Sequence, residues 1–216
     1  MSETSLTGHR HFVPAMGRTW LLRLYDPFTR LLGVPAAHRY LAGEAGMEPG
    51  HDVLEIGCGT ANLALLVKAE QPATRVVGLD PDGKALNLAR RKAARKGLPL
   101  QLDRGFGDAL PYPDESFDRV LSALMLHHLE PAAKLGTLRE VRRVLRPGGR
   151  FHLLDFDGSH HHAGFFSRRR MSSRLIHENR ADHLLALTRE AGLTDPVQTG
   201  QYSFRAGRCA VIRADR

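Results

Sequence analysis

A glycine-rich turn between an apolar run and a helical stretch is the first part of this sequence that could carry chemistry. Residues 53–62 read VLEIGCGTAN, and the apolar run predicts a buried strand that ends at Gly57. Glycines at such a strand end allow a ligand to approach the backbone closely. The turn therefore predicts a ligand site at the carboxyl end of a parallel sheet, where open α/β folds bind small molecules.

The spacing of this turn excludes two phosphate-binding motifs. A dinucleotide turn, G-x-G-x-x-G, needs a third glycine where Asn62 stands, and the turn also lacks the G-x-x-x-x-G-K-[ST] pattern of a phosphate loop. Glu55 lies two residues before Gly57, so its charge would repel a pyrophosphate at the start of the following helix. The ligand predicted here is therefore not a dinucleotide.

Three carboxylates follow or end neighbouring predicted strands. Glu55 lies in the first strand, Asp80 ends the second, and Asp108 follows the third. We expect them to ring one crevice, because the carboxyl ends of parallel strands meet at one edge of a sheet. Glu55 would face an ammonium or sulfonium group, Asp80 would accept hydrogen bonds from ribose hydroxyls, and Asp108 would accept one from an adenine amino group. S-adenosylmethionine has all three features and carries no phosphate.

Alternating apolar runs and helical stretches predict the elements that position these residues. Strands are predicted over residues 53–56, 75–80, 98–102, 118–123 and 150–156, and helices over 62–70, 83–96 and 132–145, with a sharp turn at 147–149. This alternation predicts an α/β fold with a doubly wound parallel sheet. A helix over 181–191 and a terminal hairpin of strands 197–204 and 208–213 add one antiparallel strand.

The first 48 residues precede this alternation and predict a helical cap, or lid, that forms a single structural unit with residues 49–216. Pro27 and Gly33 interrupt an amphipathic run in the cap, which predicts two short helices. Five basic side chains on the predicted helix 83–96 are interpreted as a solvated face. They are Arg90, Arg91, Lys92, Arg95 and Lys96.

Four segments together resemble the class I S-adenosylmethionine-dependent methyltransferases, in particular methyltransferase domain type 11, the group that contains the ubiquinone and menaquinone C-methyltransferases. They are VLEIGCGTANLAL, GLDPDGKALNLAR, GDALPYPDESFDRVLSALMLHHL and VLRPGGRFHLLDF, in this order over about residues 50–156. The resemblance implies a Rossmann-like seven-stranded sheet with its last strand antiparallel, and S-adenosyl-L-methionine as the methyl donor with S-adenosyl-L-homocysteine as product. Ala61 departs from the family, which usually has glycine at that position.

The resemblance also assigns roles to individual residues. The methionine part of the cofactor would lie against the turn, where Thr60 would cap the next helix, and the remaining parts would follow the strand ends. The predicted cofactor-binding residues are Tyr25 (a lid over the donor site, in the pair Tyr25-Asp26), Glu55, Gly57, Cys58, Gly59 and Thr60 (methionine), Asp80 and Pro81 (ribose), Asp108 and Ala109 (adenine), and Ala123 and Leu124 (methyl-donor end).

The sequence excludes several classes of methyl acceptor. No N-P-P-Y or D-P-P-Y segment follows the fourth strand, and neither Cys58 nor Cys209 is placed to attack a cytosine ring. His127 is the candidate catalytic base, with His128 beside it, and a purely structural histidine is the competing interpretation. The leading hypothesis is methyl transfer to a small organic acceptor. An RNA or protein methyltransferase, or an S-adenosylmethionine-binding protein without catalysis, stays open.

Composition bounds the class of protein. The 216 residues are 42% hydrophobic and 25% charged, as in ordinary globular domains, and no apolar stretch is long enough for a membrane span. A polar start unlike a signal peptide and two cysteines without ligand spacing predict a cytoplasmic protein that binds no metal. The net charge of +8 is spread along the chain, which does not favour a nucleic-acid partner. Monomer and homodimer both stay open.

Overall fold

The structure, a computed structural model, describes residues 22–158, 179–204 and 207–216, with the backbone alone for residues 22–25 and 204. The helices in this part of the chain are Leu22–Leu32 (α1), Val34–Glu44 (α2), Asn62–Glu70 (α3), Gly83–Lys96 (α4), Pro131–Val144 (α5) and Ala181–Glu190 (α6), with a 3-10 turn at Leu126–His128. The strands are Asp52–Ile56 (β1), Arg75–Asp80 (β2), Gln101–Arg104 (β3), Phe117–Ala123 (β4), Leu145–Phe156 (β5), Thr194–Phe204 (β6) and Gly207–Asp215 (β7).

The strands form one seven-stranded sheet in the order β3-β2-β1-β4-β5-β7-β6. The pairs β1–β2, β1–β4, β2–β3 and β4–β5 are parallel, whereas β7 is antiparallel to both β5 and β6. The predicted fold class, a mostly parallel Rossmann-like sheet with one antiparallel strand from a terminal hairpin, is confirmed. The strand order reverses between β1 and β4: the chain adds strands on one side of β1 up to β3 and on the other side from β4 onward. Ligands of such folds bind at the carboxyl ends of the strands beside that point.

Helices cover both faces of the sheet because successive strand residues point to opposite sides. Val53 and Val76 pack with the buried residues of α2, α3 and α4 in one core. Leu54 and Val77 pack with those of α5 and α6 in a second core on the other face. Full burial of an aliphatic side chain contributes about 1.5–3 kcal/mol, so the two cores together hold the strand ends in place.

Helix α2 belongs to this layered core although it precedes the first strand. Ala37 and Leu41 are fully buried and join the cluster that α3 and α4 form with the sheet. Helix α2 therefore packs in the same layer as α3 and α4, and the division of the chain at residue 48 stays a prediction. The role of residues 1–48 as a lid stays a prediction, and residues 1–21 lie outside the described part of the chain.

Three local predictions are corrected by the structure. The third strand begins at Gln101 rather than at Leu98, because the Leu98 N–H closes α4 by donating to the Ala93 carbonyl beside left-handed Gly97. The proline at 27 lies inside α1 and does not end it, since its fixed φ is helical; Gly33, with φ 90°, separates α1 from α2. The turn at 147–149 lies within β5 as an irregularity of its pairing with β4.

Candidate functional site

The glycine-rich turn leaves β1 and is bonded at once to the neighbouring strand. Gly57 and Gly59 have left-handed φ values of 72° and 53°. The N–H groups of Gly57 and Cys58 both donate to the Leu79 carbonyl, with N···O distances of 2.8 and 3.0 Å. A left-handed backbone suits glycine, which has no Cβ to clash with the following carbonyl. The turn is therefore shaped by β2 as well as by its own sequence.

The carboxylate of Asp80 joins the end of β2 to the turn. Its Oδ2 accepts a hydrogen bond from the Gly59 N–H (2.7 Å), and its Oδ1 accepts one from the Asp82 N–H (2.8 Å). Burial raises the pKa of Asp80, while the two backbone donors partly offset that rise. Each oxygen keeps a second lone pair for a further donor. Asp80 therefore positions the turn, a role in addition to the ribose contact predicted from the sequence.

The two turn glycines have different surroundings. A Cβ built on Gly57 would lie 2.2 Å from Cγ and 2.8 Å from Cβ of Met125, the residue that begins the 3-10 turn after β4. A Cβ built on Gly59 would meet no heavy atom of residues 22–158, 179–204 or 207–216 within 4 Å. Gly57 is thus required by packing, and Gly59 lies against open space at the carboxyl edge of the sheet. Met125 carries no signal in the sequence that would have marked it as part of this site.

Glu55 is buried beneath the turn rather than facing solvent. It is 3% exposed, and its Oε2 accepts a hydrogen bond from the Ala64 N–H in the first turn of α3 (2.8 Å). Burial, and then the nearby charge of Asp80, raise the pKa of Glu55 to about 8. At neutral pH this carboxyl therefore favours its protonated form. A cation bound nearby would favour its ionised form.

Replacement of Glu55 by Gln should remove a pH dependence of stability. Between the unfolded pKa of 4.5 and the folded value of about 8, unfolding of the wild type releases a proton, so its free energy of unfolding falls as pH rises. The slope should approach about 1.4 kcal/mol per pH unit relative to Glu55→Gln, which keeps an acceptor for Ala64. Denaturant unfolding from pH 5 to 9 measures the difference. The exposed Glu70→Gln is the control, and parallel curves for wild type and Glu55→Gln would contradict the burial argument.

The remaining turn residues correct two details. Ala61, not Thr60, is the N-cap residue of α3; it has a left-handed φ of 58° and provides no side-chain cap. The Thr60 hydroxyl donates instead to Asp26 on α1 (2.8 Å). The Cys58 thiol points inward, where a Cβ on Gly78 would lie 2.9 Å from its sulfur, and burial raises its pKa well above the usual value. The thiol donates a weak hydrogen bond to the Gly59 carbonyl (4.0 Å), so Cys58 supports the turn from the protein interior.

The adenine-end and methyl-end candidates lie at the same edge of the sheet. The loop that carries Asp108 and Ala109 starts after β3, where the Gly105 N–H donates to the Asp80 carbonyl (3.3 Å). Ala123 ends β4, and Leu124 follows it with a left-handed φ of 56°. The topology thus places these residues along one edge with Asp80. Pro81 follows Asp80 directly, and its carbonyl accepts from Arg104.

His127 forms a buried pair with a residue that the sequence did not single out. The ring Nδ1 of His127 lies 2.5 Å from Oδ1 of Asp155, near the end of β5. The backbone N–H of His127 donates to Oδ2 of the same carboxylate (3.1 Å). Burial alone would raise the pKa of Asp155, but His127 and the Phe156 N–H hold it below its usual range. An ionised Asp155 favours a proton on Nδ1, which leaves Nε2 of His127 as an acceptor.

Comparison with known proteins places this geometry in a family. A family model described as "Methyltransferase domain" matches residues 53–149, which contain the turn, Asp80, Asp108 and His127. This part of the chain, with the glycine-rich turn and the strand ends, is thus similar to a methyltransferase domain. S-adenosylmethionine is the cofactor that this similarity supports, and buried Glu55 and half-buried Asp80 beside Gly59 suit a ligand with cationic groups.

Several curated relatives of this chain are named as quinone methyltransferases. It is 36% identical to a demethylmenaquinone methyltransferase of Deinococcus radiodurans over 135 residues, which cover 61% of this chain and 55% of that protein. It is 33% identical to the ubiquinone/menaquinone biosynthesis C-methyltransferase UbiE of Cupriavidus taiwanensis over 118 residues, which cover 54% of this chain and 48% of that protein. The chain spans about half the length of these curated relatives.

Solved structures share the fold of this chain at low sequence identity. A SAM-dependent methyltransferase from Aquifex aeolicus matches with a TM-score of 0.69 and 18% identity, covering 91% of this chain and 97% of that one. The [4+2]-cyclase SpnF also matches with a TM-score of 0.69, at 20% identity over 83% of this chain and 79% of that one. These likenesses establish the architecture alone, because one fold hosts many activities.

Some predicted features lie outside the described residues. The side chain of Tyr25 is one, although its backbone is part of α1, and residues 1–21 of the predicted cap are another. Within the described ranges no cluster of three or more His, Cys, Asp or Glu side chains could hold a metal ion. The helices described here also include none with both the length and the apolar character needed to cross a bilayer.

Proposed function

We propose that this protein transfers the methyl group of S-adenosylmethionine to a small organic acceptor. The observation that carries the proposal is the grouping of acids at the turn: Asp80 is bonded to the Gly59 N–H, Glu55 is buried beneath the turn, and no atom of the described residues would meet a Cβ on Gly59. A dinucleotide would bring phosphate charges against the carboxylate of Asp80. The proposal includes a cytoplasmic setting and a lid formed by residues 1–48.

The chain's own residues divide the cofactor among them in this proposal. Glu55 and the backbone of residues 57–60 hold the methionine part. Asp80, with Pro81 beside it, holds the ribose through its free lone pairs, and Asp108 with Ala109 binds the adenine. Ala123 and Leu124 border the sulfonium end, and Tyr25 closes over it.

Bound S-adenosylmethionine supplies an electrophilic methyl group, whose transfer needs alignment and exclusion of water more than elaborate catalytic groups. The turn and the end of β4 provide that alignment from rigid elements. His127 takes a proton at Nε2 from an acceptor that must lose one, and Asp155 orients the ring and stabilises the imidazolium that forms. Burial of His127, at 4% exposure, keeps water away from this proton transfer.

The test uses labelled methyl transfer after a binding measurement. Calorimetry should show binding of S-adenosylhomocysteine and no binding of NAD. Incubation with methyl-labelled S-adenosylmethionine should then transfer label to an organic-soluble acceptor. A short-chain demethylated naphthoquinol is the first to test, because relatives are named for demethylmenaquinone. Label in RNA or protein would replace the small acceptor, and binding without transfer to any acceptor would indicate a non-catalytic protein.

Replacement of each turn glycine by alanine should show which glycine is required by packing and which borders the ligand. Both changes place a Cβ in a left-handed backbone, which costs about 1–2 kcal/mol of stability. Gly57→Ala adds overpacking against Met125, about 1–3 kcal/mol more. Gly59→Ala adds no clash within the protein, but its methyl group projects into the space assigned to the cofactor. Gly59→Ala should therefore be the more stable variant, with the larger loss of S-adenosylhomocysteine affinity per folded molecule.

Denaturant unfolding and calorimetry measure the two effects. Met125→Ala serves as the matched second-site change, since it removes the Cγ and Sδ atoms that a Cβ on Gly57 would meet and leaves only the Met125 Cβ, at 2.8 Å. The double variant should recover part of the stability lost by Gly57→Ala, whereas Gly59→Ala should gain nothing from Met125→Ala. Equal affinity of Gly59→Ala and wild type would contradict the placement of the cofactor.

A further inference from the structure

One cation of the basic helix α4 points into the protein rather than to solvent. Lys92 is 8% exposed, which corrects the interpretation of this helix as a uniformly solvated face. Its ammonium donates to Oδ2 of Asp26 on α1 (2.7 Å), to the Thr60 hydroxyl (3.2 Å) and to the Asn62 side-chain oxygen (2.5 Å). An ammonium has three donors. All three are engaged, so Lys92 has none left for a ligand.

The partner carboxylate is bonded to the same two residues. Oδ1 of Asp26 accepts hydrogen bonds from the Thr60 hydroxyl and from the Asn62 amide, and each bond is 2.8 Å long. Asp26, Lys92, Thr60 and Asn62 therefore form a closed cluster, named here the turn cluster. It joins α1 and α4 to the segment where the glycine-rich turn becomes α3.

Charge burial makes the members of the turn cluster depend on one another. Burial lowers the pKa of Lys92, and the hydrogen bond and charge of Asp26 oppose that change. His38 on α2 also faces Lys92; burial first, and then the Lys92 charge, lower the pKa of His38 to about 4, so it adds no second cation. Removal of one partner of a buried ion pair leaves an uncompensated charge, which costs more than the pair itself contributes.

The turn cluster holds the outer side of a backbone segment whose inner side faces the proposed cofactor. Thr60 follows Gly59, whose N–H is bonded to Asp80. Between Thr60 and Asn62 lies Ala61, a non-glycine residue with φ 58°. Such a conformation persists only when surrounding contacts enforce it. The side chains on either side of Ala61 are the ones that the turn cluster binds.

We propose that Asp26 and Lys92 are positioning residues for the methionine half of the cofactor. They act by fixing the backbone of residues 59–62 from behind and do not touch the ligand. The inference rests on the proposed function, which places the methionine part against this turn. The ribose and adenine ends lie against Asp80 and Asp108, which belong to other elements, and depend less on the turn cluster.

Two ligands that differ in the methionine part test this inference. S-adenosylhomocysteine contains it, and adenosine lacks it. Lys92→Met, Asp26→Asn and the double variant should each bind S-adenosylhomocysteine about 10- to 100-fold more weakly than wild type, the range expected when a contact surface is misplaced by about 1 Å. Adenosine affinity should change less than twofold. Lys92→Arg keeps the charge and should retain part of the S-adenosylhomocysteine affinity.

The matched control is an ion-pair cluster at the opposite edge of the sheet. Arg146 forms ion pairs with Asp52 and Asp118 at the amino ends of β1 and β4, and the N···O distance is 2.6 Å in each. Arg146→Met should leave both affinities unchanged. In a Thr60→Val background, Lys92→Met should weaken S-adenosylhomocysteine binding less than in the wild type, because coupled residues are not additive.

Denaturant unfolding gives the folded fraction of each variant, by which its affinity is corrected. The double variant carries neither charge of the buried pair, so it can be tested even where a single variant does not fold. Unchanged S-adenosylhomocysteine affinity in folded Lys92→Met, or equal losses for both ligands, would overturn the inference and leave the turn cluster as structural support. A wild-type protein that binds neither compound would overturn the proposed function, and the inference with it.

Discussion

Asp80→Ala should lower the affinity for S-adenosylmethionine by about 30- to 1,000-fold. In the proposed function two ribose hydroxyls donate to this carboxylate, and hydrogen bonds to charged groups contribute roughly 1.5–3 kcal/mol each. Water replaces part of that interaction in the variant, which leaves a loss of about 2–4 kcal/mol. The structure adds a cost to the fold, because the Gly59 and Asp82 N–H groups lose their acceptor. Stability should fall by about 1–3 kcal/mol.

Calorimetry on the folded protein and denaturant unfolding of the empty protein separate the two losses. Asp118→Ala is the matched control, since Asp118 is also a strand carboxylate that accepts a backbone N–H, from Asp52 at 2.8 Å, but at the opposite edge of the sheet. It should lose stability and keep its cofactor affinity. If Asp80→Ala keeps its affinity per folded molecule, Asp80 serves the turn alone and the ribose lies elsewhere.

Asp155→Asn should reduce kcat by about 10²- to 10⁴-fold, the range that general acid–base catalysis supplies. An asparagine amide facing Nδ1 of His127 would donate where the carboxylate accepts, and so would favour the tautomer that carries its proton on Nε2. That nitrogen would then no longer accept a proton from the methyl acceptor. His127→Gln should cost a similar factor, and the double variant little more, because the two residues act as a unit.

Initial rates with the acceptor found by the labelling assay measure this effect. Cofactor affinity should stay within about threefold of wild type, and the acidic limb of the rate profile against pH should disappear. His152→Leu is the control: His152 is 1% exposed on β5, and neither ring nitrogen forms a hydrogen bond among the described residues. Normal rates for folded Asp155→Asn and His127→Gln would leave the pair with a structural role.

Much of the fold and of the cofactor-facing edge was predictable because it depends on local patterns. Apolar alternation marked β1, β2 and β4, and Gly57 and Gly59 marked the turn that leaves β1. Once the strands are parallel, their carboxyl ends must share an edge, so Asp80 and the turn had to be neighbours. The observed bond between Asp80 and Gly59 confirms that neighbourhood.

The tertiary structure decided the contacts between side chains on elements far apart in sequence. His127 meets Asp155 across 28 residues, and Lys92 meets Asp26 across 66. Met125 lies against Gly57, which makes that glycine a packing requirement. A pattern of apolar and polar residues states which face of an element is buried. It does not state which buried polar group lies opposite another, because that depends on how helices are seated on the sheet and on the rotamers that close packing permits.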